Sequence, residues 1–162
     1  MLKVASYDIV FQEIPGEVTL ALNLSNCPCH CPGCHSKHLW EDIGEPLDEA
    51  LLSGLIARYN GLITCVCFMG GDAEPMNVIR LANYIHELRI KNEELRLKTA
   101  WYSGRPSMPS NLNTPNPFDY IKIGPYIEEL GGLKSEKTNQ RLYKQVGDEW
   151  EDITNSFWKK NL

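Results

Sequence analysis

Nine residues, Cys27-Pro28-Cys29-His30-Cys31-Pro32-Gly33-Cys34-His35, carry four thiols and two imidazoles. The prolines and the glycine keep this stretch out of regular structure, so it reads as a loop built to hold a metal. Within it Cys27, Cys31 and Cys34 stand at C-x3-C-x2-C spacing. Thiolates that close together suit an iron–sulfur cluster and, with other partners, zinc. A structural zinc site usually draws its second ligand pair from a distant segment. The remaining cysteines, Cys65 and Cys67, instead stand at C-x-C spacing inside an apolar run, which weakens zinc. Uncommitted thiols are the third reading, and spacing alone permits Cys29, Cys31 and Cys34 as well as Cys27, Cys31 and Cys34. Disulfides are a poor account, because thiols so close in sequence cannot cross-link distant parts of a fold and no secretion signal is seen.

Other segments carry chemistry with less specificity. Gly70-Gly71-Asp72 ends an apolar run, and Glu74-Pro75 follows it. Such a turn lets backbone approach a ligand closely, and it is also what a plain turn before a helix N-terminus looks like. Ser103-Gly104 and Gly124-Pro125 are further turns at the ends of strand-like runs. Cys65 and Cys67 read as small core residues, Lys122 as a solvated or salt-bridged lysine in preference to a partner for a substrate carboxylate, and His30, His35 and His38 as loop residues near the metal; His86 receives no role.

These segments need a frame. Val18 to Leu24 alternates as a strand and leads straight into the cysteine loop. Pro46 and Asp48 supply helix-start chemistry, and Leu51, Leu52, Leu55, Ile56 and Tyr59 recur at helical spacing up to Asn60-Gly61, predicting a helix over 47–59. Leu62 to Met69 is almost wholly apolar, as a strand buried on both faces would be. Pro75 opens a second helix that runs to about Lys91. Leu95–Tyr102, Tyr120–Ile123 and Arg141–Val146 read as three more strands, with 107–117 as loop or one short helix and 131–139 as an ordered polar loop. The tail bearing Trp150, Phe157 and Trp158 is too apolar to be left free.

Alternating strands and helices imply parallel strands joined by crossovers. A complete eightfold barrel takes about 250 residues, so this chain of 162 residues is expected to form a single α/β domain, a partial (incomplete) TIM-type barrel of mostly parallel strands with flanking helices. In such folds the reactive groups collect beyond the carboxyl ends of the strands. The cysteine loop, Gly70-Gly71-Asp72, Ser103-Gly104 and Gly124-Pro125 would then share one rim.

Composition narrows the partners. With 43% hydrophobic and 23% charged residues and a net charge of −5, the chain reads as globular and without the basic surface that nucleic acid requires. Its longest apolar run falls far short of the ~18 residues of a membrane span. A cytoplasmic location with no membrane association is the expectation.

The C-x3-C-x2-C loop after a strand, with a glycine pair ending the next strand, resembles the radical S-adenosylmethionine (SAM) superfamily. Cys31-Pro32-Gly33-Cys34-His35, Gly70-Gly71-Asp72, Tyr102-Ser103-Gly104, Gly124-Pro125-Tyr126-Ile127-Glu128-Glu129-Leu130 and Asn139-Gln140-Arg141 narrow the likeness. Together they resemble the activating enzymes of the anaerobic, class III ribonucleotide reductases. The resemblance implies that Cys27, Cys31 and Cys34 bind three irons of a [4Fe-4S] cluster, with the fourth left open for SAM. It sets Cys29 aside as a spare thiol. It further implies that Gly70, Gly71 and Asp72 hold the methionine part of SAM, that Ser103 reaches its carboxylate or ribose, and that Gly124 shapes the adenine side. The family's usual Gly-Gly-Glu-Pro form is altered here, so Asp72 or Glu74 takes the acidic role. The implied activity is reductive cleavage of SAM to a 5′-deoxyadenosyl radical that places a glycyl radical on the reductase. A flavodoxin or ferredoxin would be the low-potential electron donor. The rival readings are a small radical SAM enzyme acting on a metabolite, deazapurine synthase-like, and a zinc-binding module without catalysis.

Overall fold

The computed structural model describes residues 1–109, 112 and 116–158. Its strands are β1 (Lys3–Val10), β2 (Thr19–Leu24), β3 (Glu45–Pro46), β4 (Cys65–Met69), β5 (Lys98–Tyr102), β6 (Tyr120–Ile123), β7 (Arg141–Val146) and β8 (Glu149–Asp152). Among the described residues there are two α-helices, α1 (Glu49–Tyr59) and α2 (Pro75–Lys91). The carboxylate of Asp48 accepts from the Leu51 amide at 2.8 Å and caps α1, satisfying one of the donors a helix start leaves free. Pro75 occupies the first turn of α2, where its missing N–H has no helical partner to lose.

All eight strands form one sheet in the order β3-β1-β2-β4-β5-β6-β7-β8. The central strands β2, β4, β5 and β6 run parallel, with α1 and α2 in the first two crossovers. The other four pairings, β1 with β2, β1 with β3, β6 with β7 and β7 with β8, are antiparallel. The expected partial TIM-type barrel of mostly parallel strands with flanking helices is therefore wrong. The chain forms a mixed, mostly antiparallel eight-stranded sheet, and its few helices do not ring it.

The reason lies in the connections. A parallel return needs a long crossover, whereas a short loop brings the chain back antiparallel. β1 reaches β2 through 11–18, and β7 reaches β8 through Gly147-Asp148 alone, with Gly147 at φ 62°. Of 107–117, only 107–109, 112, 116 and 117 are described, and none is helical; 110, 111 and 113–115 lie outside the described residues.

Alternation along each strand divides the sheet into two faces. Leu22, Val66, Phe68 and Ile121 pack with Leu52 of α1 and Leu81 of α2, each fully buried apolar side chain contributing about 2 kcal/mol. On the other face Cys65, Cys67, Tyr120 and Leu142 are covered by Ile14 and Leu133 from loops. The tail does pack back: Phe157 lies against this second cluster, and the indole of Trp158 donates to the carbonyl of Leu133 at 2.9 Å. No helix of the described residues is long and apolar enough to cross a membrane.

Candidate metal centre

The cysteine loop leaves the carboxyl end of β2 and is closed at its base by backbone bonds. The amide of Asn26 donates to Glu41 O at 3.2 Å and that of Cys27 to Leu39 O at 2.9 Å. Between these ties the chain passes through left-handed backbone at Asn26 (φ 59°), His30 (φ 44°) and Gly33 (φ 77°). For His30 that conformation costs about 1 kcal/mol or more. Its ring is held by stacking on Trp40, centroid to centroid 4.6 Å and 5° from parallel. A turn joins Cys34 N to Cys31 O at 3.1 Å, and the amide of Ser36 points at the Cys34 sulfur at 3.4 Å. Cys27, Cys29, Cys31 and Cys34 are half-buried and none forms a disulfide.

The connection after β6 packs against this loop, a contact that sequence reasoning missed. A Cβ added to Gly33 would come within 2.9 Å of the Glu128 carboxylate, and the His35 ring tilts against Tyr126 at 5.9 Å. The Gly124-Pro125 turn that launches the connection is fastened by the Asn-Gln pair before β7. Asn139 Nδ2 donates to Pro125 O at 3.1 Å, and Gln140 Nε2 donates to Gly124 O at 3.4 Å. Gly124 itself has φ 104°, and a Cβ on it would stand 3.0 Å from Gln140 Cα.

Beneath the loop, Asp72 is 5% exposed at the end of β4. Its carboxylate accepts from Ser103 Oγ at 2.5 Å and from the Gly104 amide at 2.8 Å, and the Cys29 sulfur stands 3.8 Å away. Cys29 thus turns toward the sheet, where a Cβ on Gly104 would be 2.8 Å from its sulfur. Burial and then the Asp72 charge push its thiol up to about 12. Ser103 is fully engaged within the protein, because it also accepts from the Arg105 amide at 3.1 Å. Glu74 is occupied elsewhere, by the amino group of Met1 and by Asn77 Nδ2. Of the two acidic candidates, Asp72 alone touches the cysteine loop.

The glycine pair has separate causes. Gly70 sits at φ 104° and its carbonyl accepts from the Trp101 indole at 2.7 Å. At Gly71 a Cβ would lie 2.5 Å from Val78 Cγ2, so the core, not a ligand, excludes a side chain there. A cavity of about 260 Å³ opens beside these groups, lined by Asp72, Trp101, Ser103 and Arg105.

Lys122 is the second residue the sequence misrepresented. It is 8% exposed, and its ammonium donates to the carbonyls of Ser103 (3.1 Å) and Gly124 (2.9 Å) instead of to solvent or a carboxylate. Its position between Ile121 and Ile123 suggests the wet face of a strand, but β6 is an interior strand with both faces covered.

The donor set, several thiols on one short loop, suits an iron–sulfur cluster. The half-buried thiols, the amide directed at Cys34 and a buried cation nearby are the surroundings that an anionic iron–sulfur group requires.

Residues 15–106, more than half of the chain, match a family described as 4Fe-4S single cluster domain. That span contains the cysteine loop, Gly70-Gly71-Asp72 and Ser103, and ends before Lys122 and Gly124. No curated protein and no solved structure matches the chain. This protein belongs to the 4Fe-4S single cluster domain family and is an iron–sulfur protein.

Proposed function

We propose that this protein is a radical SAM activase that generates a glycyl radical on an anaerobic ribonucleotide reductase. The observation that carries the reading is the meeting of Asp72, Ser103 and Cys29 at one rim, directly beneath the cysteine loop. Cys27, Cys31 and Cys34 hold the cluster and leave one iron without a protein ligand. That open iron is what distinguishes a site for substrate from a closed structural one. With SAM bound at that iron, the cluster held by Cys27, Cys31 and Cys34 would supply the one electron needed for reductive cleavage of the sulfonium to methionine and a 5′-deoxyadenosyl radical able to take hydrogen from the partner's glycine.

The chain's own residues bind and orient. Asp72 uses its remaining lone pairs to accept from the SAM ammonium, since a carboxylate accepts more bonds than the two strong ones it receives here. Ser103 positions Asp72 rather than reaching SAM. Gly70 permits the turn that brings backbone to the ligand, and Gly124, fastened by Gln140, walls the adenine side. The likeness of Gly124 to Leu130 and of Asn139 to Arg141 to the reductase activases gains support from the hydrogen bonds that join those two segments beside the loop. A flavodoxin or ferredoxin serves as electron donor, and the rim that takes SAM also admits the partner's glycine loop.

The test is anaerobic reconstitution with iron and sulfide, followed by SAM and a one-electron reductant. The expected outcome is a brown protein that releases 5′-deoxyadenosine and, with the reductase present, a glycyl radical signal on that partner. Cleavage of SAM without a glycyl radical would transfer the reading to a metabolite substrate. A colourless protein loaded with stoichiometric zinc would overturn it altogether.

A further inference from the structure

Lys122 is a buried cation that makes no direct ion pair among the described residues. Its partners are two carbonyl oxygens and the face of Tyr102, whose ring centroid is 5.8 Å from Nζ. An ammonium taken out of water without an anion is strongly unfavourable. The Asp72 carboxylate is within electrostatic reach, but its hydrogen bonds go to Ser103 and Gly104. Burial draws the lysine toward losing its proton, and the Asp72 charge opposes this most. Ser103, whose carbonyl takes the ammonium, donates its hydroxyl to Asp72, and Asp72 meets the Cys29 sulfur at 3.8 Å, so a short chain of contacts ties the ammonium to the metal loop.

A [4Fe-4S] core carrying three thiolates is anionic, and it gains a further negative charge when it accepts an electron. We propose that the Lys122 ammonium is the internal counter-ion of the cluster held by Cys27, Cys31 and Cys34, and that it raises the cluster's reduction potential. This rests on the cluster reading above. Lys122 is a positioning residue in charge, acting through space and touching neither iron nor SAM. The step it favours is transfer of one electron from an external low-potential reductant to the cluster, with no bond made or broken. A fixed positive charge lowers the energy of the more negative state, and at the effective dielectric of a protein interior the effect extends beyond contact distance.

The experiment compares the full-length wild type with Lys122→Met and Lys122→Arg, each reconstituted anaerobically and titrated with dithionite at controlled potential. The paramagnetic signal of the reduced cluster is the readout. At the potential where half of the wild-type cluster is reduced, the reduced-to-oxidised ratio falls about tenfold in Lys122→Met, and Lys122→Arg stays within about twofold. Before loading, Lys122→Met is at least as heat-stable as wild type, because an unpaired buried charge has been removed. An unchanged potential in loaded Lys122→Met overturns the inference alone. So does a Lys122→Met protein that fails to fold without iron, since the lysine would then be a structural tie between the Ser103 and Gly124 carbonyls. Wild-type protein that takes up no iron overturns the cluster reading, and this inference with it.

Discussion

The cysteines of this chain fall into two groups with opposite surroundings. Cys27, Cys29, Cys31 and Cys34 sit half-buried on an irregular loop, whereas Cys65 and Cys67 on β4 are 0% exposed. Burial pushes the Cys65 and Cys67 thiols far above their usual range, Cys65 adding to the effect on Cys67. They remain neutral and pack as small apolar groups, with the Cys67 sulfur 3.4 Å from that of Met69. In the loop, a backbone amide is aimed at Cys34 and the charge of Lys122 is within reach of Cys27 and Cys31, while Cys29, turned toward Asp72, is pushed up by burial as the strand thiols are. The difference teaches that a thiol becomes a ligand through its surroundings: a metal takes the thiolate, and only one of these regions can host a negative charge.

The sharpest way to break the contrast is to remove one ligand from the loop. Cys31→Ala, and equally Cys27→Ala or Cys34→Ala, abolishes cluster binding, so iron and sulfide analysis after anaerobic reconstitution finds only traces on a protein of normal circular dichroism. Full loading of any of the three would dissolve the distinction between the groups.

In the strand the same atom has a different consequence. Cys67→Ser buries a hydroxyl in an apolar layer and destabilises the fold by about 1–3 kcal/mol, read as a lower midpoint in chemical denaturation of the iron-free protein. Iron per folded molecule stays at the wild-type level, and a loss of cluster proportionally greater than the loss of folded protein would assign the strand thiol to the metal after all.

Cys29 provides the smallest effect and the finest resolution. It belongs to the loop by sequence, but its sulfur lies against Gly104 and Asp72. Cys29→Ala retains most of the iron, and because Asp72 keeps its bonds to Ser103 and Gly104, the stability of the iron-free variant in chemical denaturation changes by less than about 1 kcal/mol. Loss of the cluster here, with Cys27→Ala still loaded, would replace Cys27 by Cys29 in the ligand set.

Much of the fold was legible where local chemistry is strong. β6 and β7 have the bounds their patterns suggest, and both helices begin where Asp48 and Pro75 announce them. Three strands were left unread: β1, whose Lys-Val-Ala-Ser-Tyr-Asp-Ile-Val mixes apolar and polar residues, and two with little apolar signal. β8 reads Glu-Trp-Glu-Asp, and β3 is only two residues long. Gly147-Asp148 is a recognisable hairpin signal that would have exposed β8. Strand direction was the larger error. Direction follows the length of the connection: β5 and β6, joined by a long segment, still pair parallel, whereas the short links from β1 to β2 and from β7 to β8 turn the chain back antiparallel.

For the site, the spacing of Cys27, Cys31 and Cys34 pointed to an iron–sulfur loop, and the family match over 15–106 covers that loop, because thiols on one short loop are brought together by the chain itself. The turn at Gly70-Gly71-Asp72 was visible for the same local reason. Which way Cys29 turns, that Ser103 serves Asp72, that Glu128 packs over Gly33 and that Lys122 is buried with its ammonium on two carbonyls were decided only by tertiary structure. Each depends on segments far apart in sequence, and burial of a side chain is a property of everything packed around it.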